Sequence, residues 1–231
     1  QLGFVQTDVG AYAYNGTRLF EETGKVDNFS TVANLYVEQV QIVTLDESIK
    51  SVADLAGKNV SVGAAGSGVY YNAVDVLSAY GLDVEKDINP TYQSFGDSAE
   101  SLQDGKIDAA FVVAGAPTTA ITELATSGMD FSLVSLDQEH VDALHEKYPF
   151  LVQENLPAGT YAGVEPETIC VAVEAALVAS TDMSEDAVYE LTKTMFENLE
   201  ELGTSHAKFQ LVSAEKAAEN GSVPMHPGAE K

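Results

Sequence analysis

A short loop of small residues carries the chemistry that this sequence suggests most directly. It lies between an apolar run at residues 59–62, typical of a buried strand, and a segment from Val69 onward with helical spacing. A strand, a small-residue loop and a helix start in this order leave backbone N–H groups unpaired at the positive end of the helix dipole. Such a point attracts an anion, so we predict that a small carboxylate binds to the N–H groups of Gly66, Ser67 and Gly68.

Two other junctions join a predicted strand to a predicted helix through small or polar residues, at Gln6-Thr7-Asp8 and at Gly115-Ala116-Pro117-Thr118. An ordinary turn explains any one junction, but we predict that the three together line one cleft. Asp8 is predicted either to cap its helix or to hold an amino group of the ligand, and Pro117 to occupy the first helical position. Asn72 either adds a side-chain amide or is an ordinary solvent-facing helix residue. The predicted ligand-binding residues are Gly66, Ser67, Gly68, Asn72, Pro117, Thr118, Gln6 and Asp8.

Residue types that support catalysis or metal binding are present but are not arranged for either. The segment 63–68, GAAGSG, matches neither the P-loop nor the G-x-G-x-x-G pattern. Ser67 as a nucleophile would need a histidine and an acid, and the histidines lie in polar contexts that predict a surface location (His140, His145, His206 and His226). The single cysteine, Cys170, lies in an apolar run and is predicted to be buried. We therefore predict a binding protein with no catalytic residue, metal or cofactor.

The charge balance disfavours two classes of partner. Lysine and arginine total 11 against 36 aspartate and glutamate, for a formal charge of −25. Nucleic-acid binding needs basic residues that neutralise phosphates, and attachment to an anionic membrane surface needs them too. The acidity predicts a strongly solvated surface or, alternatively, adaptation to high salt, where screening reduces the self-repulsion.

Strands and helices alternate along most of the chain. Between residues 58 and 147 this pattern predicts a mainly parallel sheet covered on both faces, with ligands at the carboxyl ends of its strands. Long strands at 34–45 and 169–180 flank this block and are predicted to connect two α/β lobes. A strand is predicted at 2–6, a one-turn helix at 51–55 and a helix at 138–147 before Pro149. A periodic helix is predicted over 184–202, capped by Ser184 or Asp182, and a loop over 221–231. The predicted domains are a partial first lobe at 1–44, an inserted second lobe at 45–169, and a return segment of the first lobe at 170–231.

Six ordered segments resemble one family of transport proteins, namely LGFVQTDVGAYAYNG, IKSVADLAGKNVSVGAAGSGVYYNA, DGKIDAAFVVAGAPTTAITELA, EKYPF, PAGTY and VPMHPGAEK. Together they span nearly the whole chain and resemble the TAXI-type solute-binding proteins, which are the extracytoplasmic receptors of TRAP transporters. The resemblance implies a type II periplasmic-binding-protein fold, whose two α/β lobes close on the ligand about a hinge. It also implies glutamate, 2-oxoglutarate or a related carboxylate as ligand, and the membrane subunit of a TRAP transporter as partner.

Two departures from the family pattern bear on the site. Val69 stands directly after Gly-Ser-Gly, where the family has threonine, and this removes one hydroxyl contact. Family members also carry a further strand–helix–strand–helix segment before the LGFVQ strand and extend past HPGAEK. The resemblance therefore predicts a fragment with an incomplete first lobe and weak or absent ligand binding. It implies an extracytoplasmic location, periplasmic or anchored at the cell surface, and no signal sequence is recognisable in this chain.

Two alternatives stay open from the sequence. The same fold also serves ABC importers, as the receptor for other small molecules. The alternative from another class is an enzyme on a related bilobal scaffold, which would need a convergent acid–base pair.

Overall fold

The structure, a computed structural model, describes residues 1–219 and 223–231, so the predicted loop over 221–231 lies partly outside the described residues. Contacts divide the chain into two compact units, Gln1–Val37 with Val173–Lys231 and Glu38–Ala172. We call them the terminal unit and the central unit. Strands and helices occur in both, which confirms the predicted α/β class. The predicted domain limits at 44/45 and 169/170 stay a prediction.

The described residues form eight strands and eight α-helices. The strands are β1 (Leu2–Gln6), β2 (Phe29–Thr44), β3 (Asn59–Ser61), β4 (Asn89–Thr91), β5 (Ala109–Ala114), β6 (Ser132–Leu133), β7 (Val152–Gln153) and β8 (Val171–Ser180). The helices are α1 (Thr7–Asn15), α2 (Gly68–Ala79), α3 (Phe95–Gln103), α4 (Thr119–Thr126), α5 (Gln138–Lys147), α6 (Glu185–Glu197), α7 (Leu199–Ser205) and α8 (Ala214–Ala217). Short 3-10 turns lie at Arg18–Phe20, Val52–Leu55 and Ala207–Leu211. Among the described residues, no helix is both long and apolar enough to cross a membrane.

The central unit is built on three parallel strands. β3 pairs in parallel with β4 on one side and with β5 on the other. β2 runs antiparallel to β5, with Gln39 opposite Ala114 and Thr44 opposite Ala109. Side chains of β2 and β5 pack with Ile121 of α4 in a buried cluster. Because β3, β4 and β5 are each followed by a helix, three strand-to-helix loops lie at one edge of the sheet, as the sequence predicts.

In the terminal unit, β1 pairs antiparallel with β8, from Leu2 opposite Ala179 to Gln6 opposite Ala175. Its core joins side chains of β2 and β8 to Val188 of α6. The chain changes unit between residues 37 and 38, within β2, and between residues 172 and 173, within β8. Each of these two strands therefore has one end in each unit.

The C-terminal segment lies beside the first half of β2. The Thr31 N–H donates to the Pro224 carbonyl at 2.9 Å, and the His226 N–H donates to the Thr31 carbonyl at 2.8 Å. His226 is only 3% exposed, and its Nδ1 accepts the Gly228 N–H at 3.1 Å. The predicted surface location is therefore wrong for His226, because a tertiary contact encloses a loop that reads as polar.

The predicted helix over 184–202 is two helices in the structure. Ser184 caps α6 by accepting the Ala187 N–H at 3.3 Å, as predicted. Asn198, with φ −120° and ψ 22°, then separates α6 from α7. The single-helix prediction is wrong because apolar periodicity continues through the break. Of the predicted apolar face, Val188 is fully buried while four residues stay half-buried (Leu191, Met195, Leu199 and Leu202).

Candidate functional site

Six of the eight predicted ligand-binding residues lie at the carboxyl edge of the sheet in the central unit. Residues 62–67 connect β3 to α2, and residues 115–118 connect β5 to α4. Since β3 and β5 are adjacent parallel strands, with Ser61 opposite Ala110, these two loops lie at the same edge. The structure therefore places Gly66, Ser67, Gly68, Pro117 and Thr118 at one edge of the sheet, and Asn72 in the second turn of the helix that begins there. The other two, Gln6 and Asp8, belong to the terminal unit.

The helices at the three predicted junctions begin without a side-chain cap. Among the described helices with eight or more residues, α3, α5 and α6 have an N-cap side chain that accepts a first-turn N–H. These N-cap residues are Ser94, Asp137 and Ser184. α1, α2 and α4 have no such bond from their N-cap residues, which are Gln6, Ser67 and Thr118. First-turn N–H groups have no acceptor within the helix. A bound anion can therefore supply the missing acceptor at α2 and α4, whereas the first turn of α1 already carries the acidic residue Asp8.

The β3–α2 loop holds a buried hydroxyl group beside this helix start. Ser67 is the N-cap residue of α2, yet its Oγ is buried and makes no hydrogen bond with the described residues. The Ser67 N–H donates to the Ala64 carbonyl at 3.0 Å. This bond corrects the prediction in part, because one of the three N–H donors proposed for the ligand is used within the loop. The Ser67 hydroxyl and the N–H groups of Gly66 and Gly68 remain as the predicted contacts.

Asn72 lies on the inner face of α2 and is 0% exposed. The alternative of a solvent-facing helix residue is therefore wrong. A contact between its amide and a ligand stays a prediction. Helical spacing did not reveal this burial, because the apolar periodicity of α2 does not say on which side a polar residue between apolar neighbours lies.

The β5–α4 loop is held by a buried tyrosine that sequence reasoning missed. The Thr118 N–H donates to the Tyr161 hydroxyl at 3.0 Å, and this hydroxyl donates to Gln41 Oε1 at 2.5 Å. Tyr161 is 2% exposed, and burial raises its pKa to about 12, so it stays neutral and can donate and accept at once. Tyr161 thus fixes the backbone at the first residue before α4.

A second glutamine of β2 holds the same loop. Gln39 Oε1 accepts the Ala116 N–H at 3.0 Å, directly before the cis peptide bond to Pro117. The N-cap residue of α4 is Thr118, so the prediction that Pro117 occupies the first helical position is wrong. The available sequence signal was the alternation in β2, which places Gln39 and Gln41 on one face of the strand, each between apolar or charged residues of the other face.

Replacing Tyr161 by phenylalanine is expected to lower the free energy of unfolding by about 1–3 kcal/mol, because it leaves the part-buried Thr118 N–H and the buried Gln41 amide oxygen without this partner. Urea denaturation measures this change. The matched control is Tyr14→Phe, at a half-exposed tyrosine of α1, where a change of about 0.5 kcal/mol or less is expected. Equal losses in the two variants would show that the Tyr161 hydroxyl does not hold the loop.

The junction in the terminal unit is acidic. Asp8 lies in the first turn of α1 and is 0% exposed, and the N-cap residue is Gln6, so the prediction that Asp8 caps the helix is wrong. The neighbouring Thr7 Oγ1 accepts the Glu174 N–H at 3.2 Å. Burial raises the pKa of Glu174, repulsion from Glu219 adds to this, and a nearby lysine opposes it. Asp8 makes this junction acidic, and its predicted role in holding an amino group of the ligand stays a prediction.

Glu174→Gln is expected to stabilise the protein at neutral pH. The pKa of Glu174 is higher in the folded than in the unfolded chain, so its contribution to stability is present below the unfolded value and lost as pH rises through the folded value. The neutral glutamine does not lose it. Thermal unfolding should show the variant above the parent protein at pH 7 and level with it well below pH 4. Glu22→Gln, an exposed change of equal charge, should show no such pH-dependent gain.

Neither a reactive thiol nor a metal centre is found at these loops. Cys170 is buried, as predicted, its thiol donates to the Glu154 carbonyl at 2.9 Å, and burial raises its pKa to about 12. Such a thiol is inert at neutral pH. Within residues 1–219 and 223–231, no three histidine, cysteine, aspartate or glutamate side chains are grouped so as to hold a metal ion.

Comparison with known proteins gives a match over the whole chain. A family model described as the NMT1-like family matches residues 1–231. One similar solved structure is the periplasmic aliphatic sulphonate-binding protein SsuA from Escherichia coli, at 16% identity and a TM-score of 0.47, covering 91% of this chain and 54% of that one. Another is the alkanesulfonate-binding protein SsuA from Xanthomonas axonopodis pv. citri bound to MOPS. Its sequence identity is 15% and its TM-score 0.48, and the match covers 99% of this chain and 64% of that one.

A third similar structure is an amino acid ABC transporter substrate-binding protein from Streptococcus pneumoniae bound to L-arginine. Its identity is 15% and its TM-score 0.45, with 88% of this chain and 73% of that one covered. The chain spans only 54% and 64% of the length of the two sulfonate-binding structures. At these identities the likenesses concern the fold alone, and with TM-scores below 0.5 they carry no argument about the ligand.

Proposed function

The chain belongs to the NMT1-like family, and on that premise we propose that it is a receptor that binds a small solute outside the cytoplasm for an importer, and not an enzyme. One observation carries the proposal. At one edge of the central unit, two adjacent loops each lead into a helix without a side-chain cap, and one of them holds a buried Ser67 hydroxyl with no hydrogen-bond partner among the described residues. Such an arrangement binds an anion without needing a basic side chain.

The proposed ligand is a small carboxylate such as glutamate or 2-oxoglutarate. Its carboxylate would accept hydrogen bonds from the N–H groups of Gly66 and Gly68 and from the Ser67 hydroxyl. The amide of Asn72 would add a donor, and Pro117 and Thr118 would line the neighbouring wall. A sulfonate offers the same kind of oxygen acceptors, so it is the second ligand class to be tested.

Gln6 and Asp8 are proposed to contact the part of the ligand that is not anionic. Asp8 is an acidic residue in the first turn of α1, so this junction suits an ammonium group better than a second carboxylate. On this ground we favour an amino acid over an oxo acid. Capture by closure of the two lobes, which the sequence predicts, remains part of the proposal. A ligand produces such closure only if it binds the closed form more tightly than the open form.

The partner is proposed to be the membrane component of an importer, of one of two classes. The ABC-importer alternative agrees with the similar structures, which include substrate-binding proteins of ABC transporters. The TRAP reading rests on the sequence resemblance alone. Because either class would use an extracytoplasmic receptor, the location and the binding role do not depend on this choice.

The proposal is tested by NMR titration, which detects weak binding of the kind predicted for this chain. L-glutamate, 2-oxoglutarate and methanesulfonate are added separately to the ¹⁵N-labelled protein. We expect concentration-dependent shifts of the amide signals of Gly66, Ser67 and Gly68, largest for glutamate. Ser67→Ala should weaken the binding about tenfold, because it removes one hydrogen bond to a charged group.

Ser78→Ala is the matched control, since Ser78 is an exposed residue of the same helix. It should leave the titration unchanged. The proposed carboxylate site would be contradicted if ligand caused no amide shifts in this loop, or if the Ser67→Ala variant bound ligand as tightly as the parent protein. Larger shifts with 2-oxoglutarate than with glutamate would contradict the preference for an amino acid and leave the carboxylate site intact.

A further inference from the structure

The terminal unit carries an open apolar groove that the proposed ligand site does not use. It has a volume of about 440 Å³ and lies along the second half of α6, α7 and the following 3-10 turn. Its apolar lining comes from Leu191, Met195, Leu202 and Phe209, all half-buried. We call it the α6–α7 groove. A volume of this size lies in the range of clefts that bind another molecule.

The groove results from the helix break at Asn198. α6 ends at Glu197 and α7 begins at Leu199, so one apolar face is divided between two helix axes. The turn at residues 207–211 then packs against α7, where the Gln210 side chain donates to the Gly203 carbonyl at 3.2 Å. Side chains that one straight helix would bury together are therefore left half-exposed along the groove.

The spacing of the lining residues indicates the shape of what fits. Lining positions recur every three or four residues along α6 and α7, at Leu191, Thr194, Met195, Asn198, Glu201, Leu202 and Ser205. Two helices lying side by side contact each other at this spacing. An amphipathic helix placed in a groove presents its apolar residues at the same intervals.

The charge around the groove indicates the sign of its partner. Between residues 185 and 211 the sequence holds six acidic residues and two lysines, Lys193 and Lys208, and one of the acidic residues, Glu185, is paired with Lys231. Glu201 lines the groove itself and is exposed. Such a rim attracts basic side chains, and it adds to the formal charge of −25 for the chain.

We propose that the α6–α7 groove is a docking site for a basic amphipathic helix of a partner protein. The apolar face of that helix fills the groove, and its lysine or arginine side chains pair with the acidic rim. A second copy of this chain is a poor occupant because two surfaces of strong negative charge repel each other. An anionic membrane surface is a poor occupant for the same reason. The proposal does not depend on the ligand site of the central unit.

The test uses a fluorescein-labelled, amidated peptide of about 15 residues, four helical turns, with leucine on one face and lysine on the other. Its binding to the whole chain is followed by fluorescence anisotropy. Ser205→Phe fills the groove from an exposed position and is expected to weaken binding about tenfold or more. Ser78→Phe, the same change at an exposed position of α2, is expected to leave binding unchanged.

A second pair of variants separates the rim from the overall charge and keeps the groove open. Glu201→Lys is expected to weaken binding about fivefold or more, and Glu100→Lys, an equal charge change on α3, by less than about twofold. Thermal unfolding shows which variants are folded. A peptide that fails to bind the parent protein overturns the proposal, as does equal weakening within the second pair. A control peptide has glutamate in place of every lysine. Equally tight binding of this peptide would show that the partner need not be basic.

Discussion

Replacing Gly228 by alanine is expected to detach the C-terminal segment and to lower the free energy of unfolding by about 2–3 kcal/mol. A Cβ at this position would overlap the Glu185 carbonyl oxygen and lie 3.0 Å from the Tyr189 nitrogen. Both are backbone atoms of α6, so neither can turn aside as a side chain can. The bonds that hold the segment to Thr31 would be strained at the same time.

The measurement is urea denaturation followed by circular dichroism, with limited proteolysis of the C-terminal segment. Gly96→Ala in α3 is the control, because an added Cβ there meets nothing within 4 Å. Alanine is a better helix former than glycine, so this variant should gain up to about 1 kcal/mol. A Gly228→Ala variant as stable and as resistant to protease as the parent would show that the segment accommodates a side chain.

Gly63→Ala is expected to abolish the ligand-induced NMR shifts of the β3–α2 loop and to destabilise the protein by about 1–3 kcal/mol. Gly63 has φ +85°, and an added Cβ would lie 2.5 Å from Val69 Cβ and 3.0 Å from Ser67 Oγ. The start of α2 would have to move away from β3. The hydroxyl and the N–H groups proposed to hold the carboxylate would then no longer point to one place.

Gly128→Ala separates backbone strain from the steric contact. Gly128 has a similar φ of +80°, but an added Cβ there meets nothing within 4 Å. This control should lose only the stability that a left-handed conformation costs, about 1–2 kcal/mol, and should bind ligand as the parent does. If Gly63→Ala also kept the titration of the parent protein, the close approach of loop and helix would be irrelevant to binding.

Elements whose start and stop signals lie in consecutive residues were predictable from the sequence. Helix α5 covers Gln138–Lys147, the predicted bounds, because Asp137 caps it and Pro149 prevents its continuation. The predicted strand at 2–6 and the capped 3-10 turn after Ser51 are found for the same reason. Local hydrogen bonds and steric restrictions decide such elements.

Features that depend on distant parts of the chain were missed. The Tyr161 hydroxyl donates a hydrogen bond to Gln41, which lies 120 residues earlier in the chain. The Thr31 hydroxyl donates a hydrogen bond to the Val223 carbonyl, which lies 192 residues later. The burial of His226 follows from the second of these contacts. The break at Asn198 was missed although it is local, because an apolar period of three to four residues is the same on both sides of it.

The sequence alone was enough to predict the alternating α/β pattern and the three strand-to-helix junctions. These depend on residue types and spacings within about ten positions, and α-helix and strand periods report them directly. Only the tertiary structure decided which donors of the junctions are used within the protein, that Asn72 is buried, and that a buried tyrosine and two glutamines hold the β5–α4 loop. It also decided that α6 and α7 leave a groove open. Those outcomes depend on which surfaces meet, and a hydrogen bond between residues 41 and 161 leaves no periodic trace in either segment.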